Sequence, residues 1–138
     1  MSDKIKLTFA IMDPPYESER STTFFRLLSI AAKRGYDINV FAYEGGVNLA
    51  FDKQTPHGNA THGHNVQEEN HPLPKVWVRE IIAEATRNGG HVEWVNCGLC
   101  VDERGANEAV ENTKRGGPVD FWRLASESTN TLTIGTRS

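Results

Sequence analysis

The sequence contains no apolar run approaching the roughly 20 residues that a membrane-spanning helix needs, and its mean hydropathy is −0.51. It also lacks a surplus of positive charge. Fifteen Lys and Arg stand against 18 Asp and Glu, for a formal net charge of −3, so there is no basic footprint of the kind that binds nucleic acid. No Gly-x-Gly-x-x-Gly follows a strand-like run and no Gly-Lys-Ser/Thr occurs, which removes the common phosphate-cradling loops. There is no internal repeat, heptad run or low-complexity tail. The first six residues, Met1 to Lys6, lack the long apolar region of a secretory signal, so a cytoplasmic protein with reduced thiols is expected. Cysteine is scarce: two in 138 residues, too few for a disulfide framework. A chain of this length suits one domain, 1–138, with a core that needs no staples.

What is present alternates between strand and helix patterns. Ile5 to Met12 reads as a buried strand, ended by Asp13-Pro14-Pro15 because proline cannot donate to a ladder. Ser18 or Ser21 can cap a helix whose Phe24, Leu27, Leu28 and Ala31 recur at helical spacing, with Lys33 and Arg34 at its negative end and Gly35 after it. Ile38 to Tyr43 is a second strand, stopped by Gly45-Gly46. Pro74 fits the first turn of a helix with Val78, Ile81, Ile82 and Ala85 as its stripe. His91 to Asn96 is a third strand. Further on, Asn107 can cap a short helix to about Thr113, broken by Lys114-Arg115-Gly116-Gly117. Pro118 then opens a helix carrying Val119, Trp122 and Ala125, and Thr131 to Ile134 closes as a strand. Trp77, Trp94 and Trp122 all fall within these elements and are expected to pack in the core. The alternation predicts an α/β fold, a three-layer sandwich with a central, mostly parallel sheet and helices on both faces. Parallel strands would bring the segments after Met12, Tyr43 and Asn96 to one edge, where open α/β folds bind ligands.

Between the second strand and the second helix, residues 52–72 form a polar, turn-rich segment expected to lie as a long loop near that edge. It holds His57, His62, His64 and His71. Short His-rich tracts hint at metal, but no regular framework here would converge three or four ligands. Solvated loop histidines are the reading, with no metal or other cofactor expected. A zinc site of Cys97, Cys100 and two of these histidines is the weaker alternative.

The chemistry is concentrated in Val95-Asn96-Cys97-Gly98-Leu99-Cys100-Val101-Asp102-Glu103-Arg104-Gly105. An apolar strand that ends in Cys-x-x-Cys points to thiol redox work, sulfur transfer, half of a metal site, or two inert buried thiols. The charged residues beside the thiols favour a working site over an inert one. Arg104 can stabilise a thiolate or a bound persulfide, as can the amides after the motif; alternatively it is a solvated partner of Asp102 or Glu103.

At Cys97-Gly98-x-Cys100-x-Asp102-x-Arg104-Gly105 the chain resembles the DsrE/DsrF-like family and its YchN-like branch, in which two cysteines are followed by Arg-Gly. The first strand, the first helix and Phe41-Ala42-Tyr43-x-Gly45-Gly46-Val47 are similar too. The resemblance implies a compact α/β fold, trimers or hexamers, and sulfur carried as a cysteine persulfide or thiosulfonate. It places the sulfur-accepting residue on Cys97, with Cys100 as a resolving or tuning thiol and Arg104 favouring the anionic sulfur. The implied partners are sulfur donor and acceptor proteins or small sulfane-sulfur compounds. A Cys97/Cys100 disulfide oxidoreductase and a non-enzymatic interaction module are the competing readings. The 52–72 segment is longer than the resemblance leads one to expect.

Overall fold

A computed structural model describes residues 4–16, 18–59, 63–68 and 72–136. Five strands, β1 (Lys6–Ile11), β2 (Asp37–Ala42), β3 (Val92–Cys97), β4 (Thr113–Gly116) and β5 (Asn130–Ile134), form one sheet in the order β4-β3-β2-β1-β5. Every neighbouring pair is parallel. Among the described residues four α-helices connect them: α1 (Arg20–Lys33), α2 (Pro74–Arg87), α3 (Gly98–Arg104) and α4 (Pro118–Ser126). A 3-10 segment, Glu44–Ala50, follows β2.

Register assigns each strand residue to a face. Phe9, Val40 and Trp94 lie in one row across β1, β2 and β3. The Phe24 ring of α1 meets Phe9 and Trp94 edge-on, with centroids 6.1 and 5.9 Å away. Phe25 stacks on Trp77 of α2 at 4.8 Å, so α1 and α2 cover this face together. On the opposite face Ala10, Phe41 and Val95 share a row. There Phe121 of α4 stacks on Phe41 at 5.5 Å, and the Thr8 hydroxyl donates to the Leu124 carbonyl at 3.1 Å. The sheet is thus covered on both sides, and its central strands are mostly apolar, as parallel sheets require, with Thr8, Asn39 and Asn96 as buried polar residues among them. Burial of each Phe- or Leu-sized side chain here is worth about 1.5–3 kcal/mol.

The start of α1 is capped differently from the expectation. Ser18 shares the task with Asp13: the Ser18 hydroxyl oxygen accepts from the Arg20 amide at 3.1 Å, and the buried Asp13 carboxylate accepts from the Ser21 amide at 3.2 Å and from the Ser18 hydroxyl at 2.9 Å. Gly35 does adopt the left-handed conformation after α1, φ +71°. At Gly46 a Cβ would lie 2.2 Å from the Ile11 carbonyl oxygen, so only glycine lets the 3-10 segment close onto the end of β1.

Two expectations are corrected. No helix runs from Asn107 to Thr113. Gly105 ends α3 in the left-handed conformation, φ +62°, and the next residues extend along the chain after the 3-10 segment. Val110 donates to Ala50 at 2.8 Å, Asp52 donates to Glu108 at 2.7 Å, and Phe51 and Ala109 form an antiparallel bridge. With those backbone groups used outside the segment, and Ala106 and Val110 buried, a helix has nothing to gain. Lys114-Arg115-Gly116 is then not a breaker but strand β4. The second correction is Trp122. Trp94 is 1% exposed and Trp77 is half-buried, but Trp122 is 77% exposed. The buried side of α4 is Phe121, Leu124 and Ala125; of the expected stripe Ala125 is kept, while Val119, like Trp122, faces outward.

Candidate functional site

Because all five strands are parallel, their carboxyl ends share one edge. Cys97 ends β3 there and is 9% exposed. The chain turns at once into α3, which brings Cys100, three residues on, back beside it. Both thiols are free. They hydrogen-bond each other, and the Glu44 amide donates to the Cys100 sulfur at 3.1 Å. Burial, first of all, and then the Cys97 hydrogen bond push the Cys100 thiol up, while the Glu44 amide pulls the other way. Cys100 therefore keeps its proton and can donate S–H toward an ionised neighbour.

Glu44 reaches this position in a left-handed backbone conformation, φ +51°. For a non-glycine residue that conformation is unfavourable, and here it points the amide at sulfur. The Glu44 carboxylate faces the Arg104 guanidinium at 3.4 Å. Arg104 also lies 3.7 Å from Glu103. Arg104, Glu44, Gly45, Asn48, Met12, Pro14 and Thr136 line a cleft of about 510 Å³. Its walls come from the segments after β1, β2, β3 and β5, the convergence that the parallel topology predicts.

Of the residues singled out in the sequence, Cys97 and Cys100 are together, and Arg104 stands one layer out, joined to Cys100 through Glu44. Asp102 does not pair with Arg104. It holds Arg115 of β4 in a two-pronged contact, 3.0 Å on each side. That contact lowers the Asp102 carboxyl and raises the Arg115 guanidinium, to which negative charge on Cys97 adds. Sequence reasoning passed over Arg115 because the Lys-Arg-Gly-Gly run reads as a turn. The available signal was that a strand pairing with β3 there would run beside the cysteines.

The described residues of the 52–72 segment pack on the ends of the helices. Asn59 is buried, and with Pro15, Tyr16, Ser18, Pro74 and Trp77 it lines a small pocket over the first turns of α1 and α2. His57 lies edge-on to Tyr16, centroids 4.6 Å apart, and His64 bridges to Asn59. His62 and His71 lie outside the described residues. Among the described residues no three His, Cys, Asp or Glu side chains converge as a metal site would require.

The sequence profile of the DsrE/DsrF-like family matches residues 5–134. The uncharacterised protein MJ0989 of Methanocaldococcus jannaschii is 28% identical over 132 residues, covering 94% of this chain and all of the relative. Among solved structures, Escherichia coli YchN superposes with a TM-score of 0.66 at 20% identity, over 94% of this chain and 98% of that one. MTH1491 of Methanobacterium thermoautotrophicum, a protein of unknown function, superposes with a TM-score of 0.59 at 16% identity, over 94% and 99% of the two chains. These likenesses extend to the fold as a whole, with its five-stranded parallel sheet. Among the described residues no helix is long and apolar enough to cross a membrane.

Proposed function

Since the chain belongs to the DsrE/DsrF-like family, we propose that it is a sulfur carrier or sulfurtransferase that holds sulfane sulfur on Cys97 and passes it to a partner protein. The observation that carries this reading is the thiol pair at the carboxyl edge of the sheet. Cys97 is fixed by the end of a buried strand, and Cys100 beside it is kept protonated by burial and by their hydrogen bond. The thiolate is the reactive form of cysteine, and a neighbouring S–H donor supports it by hydrogen bonding to the charged form.

In the proposed reaction the Cys97 thiolate attacks the terminal sulfur of a persulfide donor, R–S–SH. The new bond joins Cys97 Sγ to that sulfur, the donor's S–S bond breaks, and R–S⁻ leaves, with the proton remaining on the transferred sulfur. Attack by an acceptor thiolate on the outer sulfur of Cys97–S–SH reverses the arrangement: the acceptor becomes the persulfide and Cys97 returns as thiolate. No electrons are gained or lost, so no redox cofactor enters. Arg104 would serve anionic species from the cleft it lines, by exchanging Glu44 for the incoming negative charge. The carrier would work as a homotrimer or homohexamer.

Intact-mass analysis after incubation with polysulfide tests the reading. Wild type and Cys100→Ser should each gain the mass of one sulfur atom, and Cys97→Ser should gain none. Loss of two hydrogens without added sulfur would instead mark a dithiol–disulfide couple, and loading of Cys97→Ser as fully as wild type would remove Cys97 from the role.

A further inference from the structure

We infer that Arg115, clamped by Asp102 across Gly98, is an anion-binding residue that selects negatively charged sulfur donors approaching Cys97; this rests on the sulfur-carrier reading above. β4 pairs with β3 so that Arg115 stands opposite Asn96 and Gly116 opposite Cys97. Its backbone therefore stands one residue short of the level of the nucleophile, on the neighbouring strand, and the side chain closes that gap by reaching Gly98.

Gly98 supplies the second observation. Its backbone is not in the left-handed region, so no turn requires glycine there. The close neighbour is Arg115: a Cβ at 98 would lie 2.9 Å from its Nη2 and 3.4 Å from Cζ and Nε, so a larger residue would push the guanidinium aside. All three nearest atoms belong to the guanidinium, which therefore packs against the residue directly after Cys97. Asp102 supplies the third. It sits four residues after Gly98, on the same side of α3, and its two oxygens take Nη1 and Nη2 at 3.0 Å each. A two-pronged contact fixes the plane of the fork, which a single ion pair would not. An arginine so held keeps Nε free for a further acceptor, because the fork has five N–H donors and Asp102 uses two.

Arg104, the cation the sequence pattern draws attention to, faces Glu44 and Glu103 at longer range, 3.4 and 3.7 Å, on the cleft side. The two arginines thus divide the edge: Arg104 in the cleft beyond Cys100, Arg115 over the residue next to Cys97.

The test compares iodoacetate, an anion, with iodoacetamide, its neutral analogue, as alkylating agents of Cys97 in the full-length Cys100→Ser protein. Both react with the same thiolate, so the ratio of their rates reports charge at the site and cancels any change in thiolate fraction. In Arg115→Met the iodoacetate-to-iodoacetamide ratio should fall about fivefold, a modest effect because Asp102 offsets part of the charge and the pair is partly exposed. Arg115→Lys should keep most of the ratio. Gly98→Ala should lower the ratio while melting no lower than the parent, because alanine favours the helix but displaces the guanidinium. A merely structural Asp102–Arg115 tie predicts lost stability and an unchanged ratio. An unchanged ratio in Arg115→Met overturns the inference, and so does failure of Cys97 to react with either reagent. Polysulfide loading of the wild-type chain is read separately. No loading defeats the sulfur-carrier reading and leaves the ratio to decide on Arg115; loading with an indifferent ratio defeats Arg115 alone.

Discussion

Glu93 shows how much a single side chain on β3 holds together. Its carboxylate lies 2.6 Å from Arg123 of α4 and 2.8 Å from Lys114 of β4, at 21% side-chain exposure. The Arg123 hydrogen bond, above all, lowers its pKa from 4.5 to about 2, against the opposing effect of burial. The folded value lies below the unfolded one, so the ionised carboxylate stabilises the fold. That contribution is complete above about pH 4.5 and is lost as pH falls toward about 2. Glu93→Gln should cost about 1–2 kcal/mol at pH 7, less than the shift alone would give because both cations are half-exposed. Its stability should also change less than that of wild type between pH 4.5 and about 2. Urea titrations at pH 7 and pH 3 measure both, and equal stabilities at pH 7 would dismiss the role. Such contacts were not legible in the sequence. Cys97 and Cys100 stood out because Cys-x-x-Cys is a local pattern, whereas Arg115 and Glu93 act across strands and are identified only by register.

At the scale of elements, Gln54 is the staple between the 3-10 segment and α2. Its amide nitrogen donates to the Asn48 and Leu49 carbonyls at 2.7 and 3.1 Å, and its oxygen accepts the Lys75 amide at 2.9 Å. The Leu49 carbonyl and the Lys75 amide belong to a segment end and a first helical turn, where backbone groups lack intrahelical partners, while the Asn48 carbonyl also accepts the Phe51 amide at 3.3 Å. Gln54→Ala should destabilise by about 1–2 kcal/mol, since water replaces the lost hydrogen bonds only in part; a chemical-denaturation midpoint equal to that of wild type would show the staple to be idle. The segment from residue 52 is polar and reads as a plain loop, yet this residue joins two elements, because a glutamine's donors leave no periodic trace. The same limit explains the stretch after α3. Strands β1, β2 and β3 and helices α1 and α2 were legible, since each buries a face and so carries its period. β4 buries almost nothing: its residues are Thr, Lys, Arg and Gly on an edge, a composition that blunts edges rather than marking strands. α4 carries both a buried and an exposed apolar side, so its pattern allowed a stripe that takes in the outer side.

For the molecule as a whole, strand–helix alternation was enough to foresee a parallel sheet covered on both faces, and with it one edge gathering distant segments. It could not foresee which surfaces stay apolar after folding. Val119 and Trp122 are 76% and 77% exposed. Three residues apart on α4, they are neighbours on its outer side. Leu99, between the two cysteines, is 74% exposed. Large apolar side chains left open side by side, as Val119 and Trp122 are, are characteristic of surfaces that associate, and tryptophan is enriched among the residues that carry such association. These side chains are therefore expected to be covered in the proposed homotrimer or homohexamer. Multi-angle light scattering at micromolar concentration should report a trimer or hexamer for wild type and smaller species for Trp122→Glu, because an interface that buries the indole cannot accept an unpaired carboxylate without a large desolvation cost. The substituted side chain is solvent-facing in the single chain, so Trp122→Glu should melt as a folded protein by circular dichroism, which separates lost assembly from lost fold. A wild-type monomer would dismiss the assembly, and a Trp122→Glu variant of undiminished mass would move the interface elsewhere.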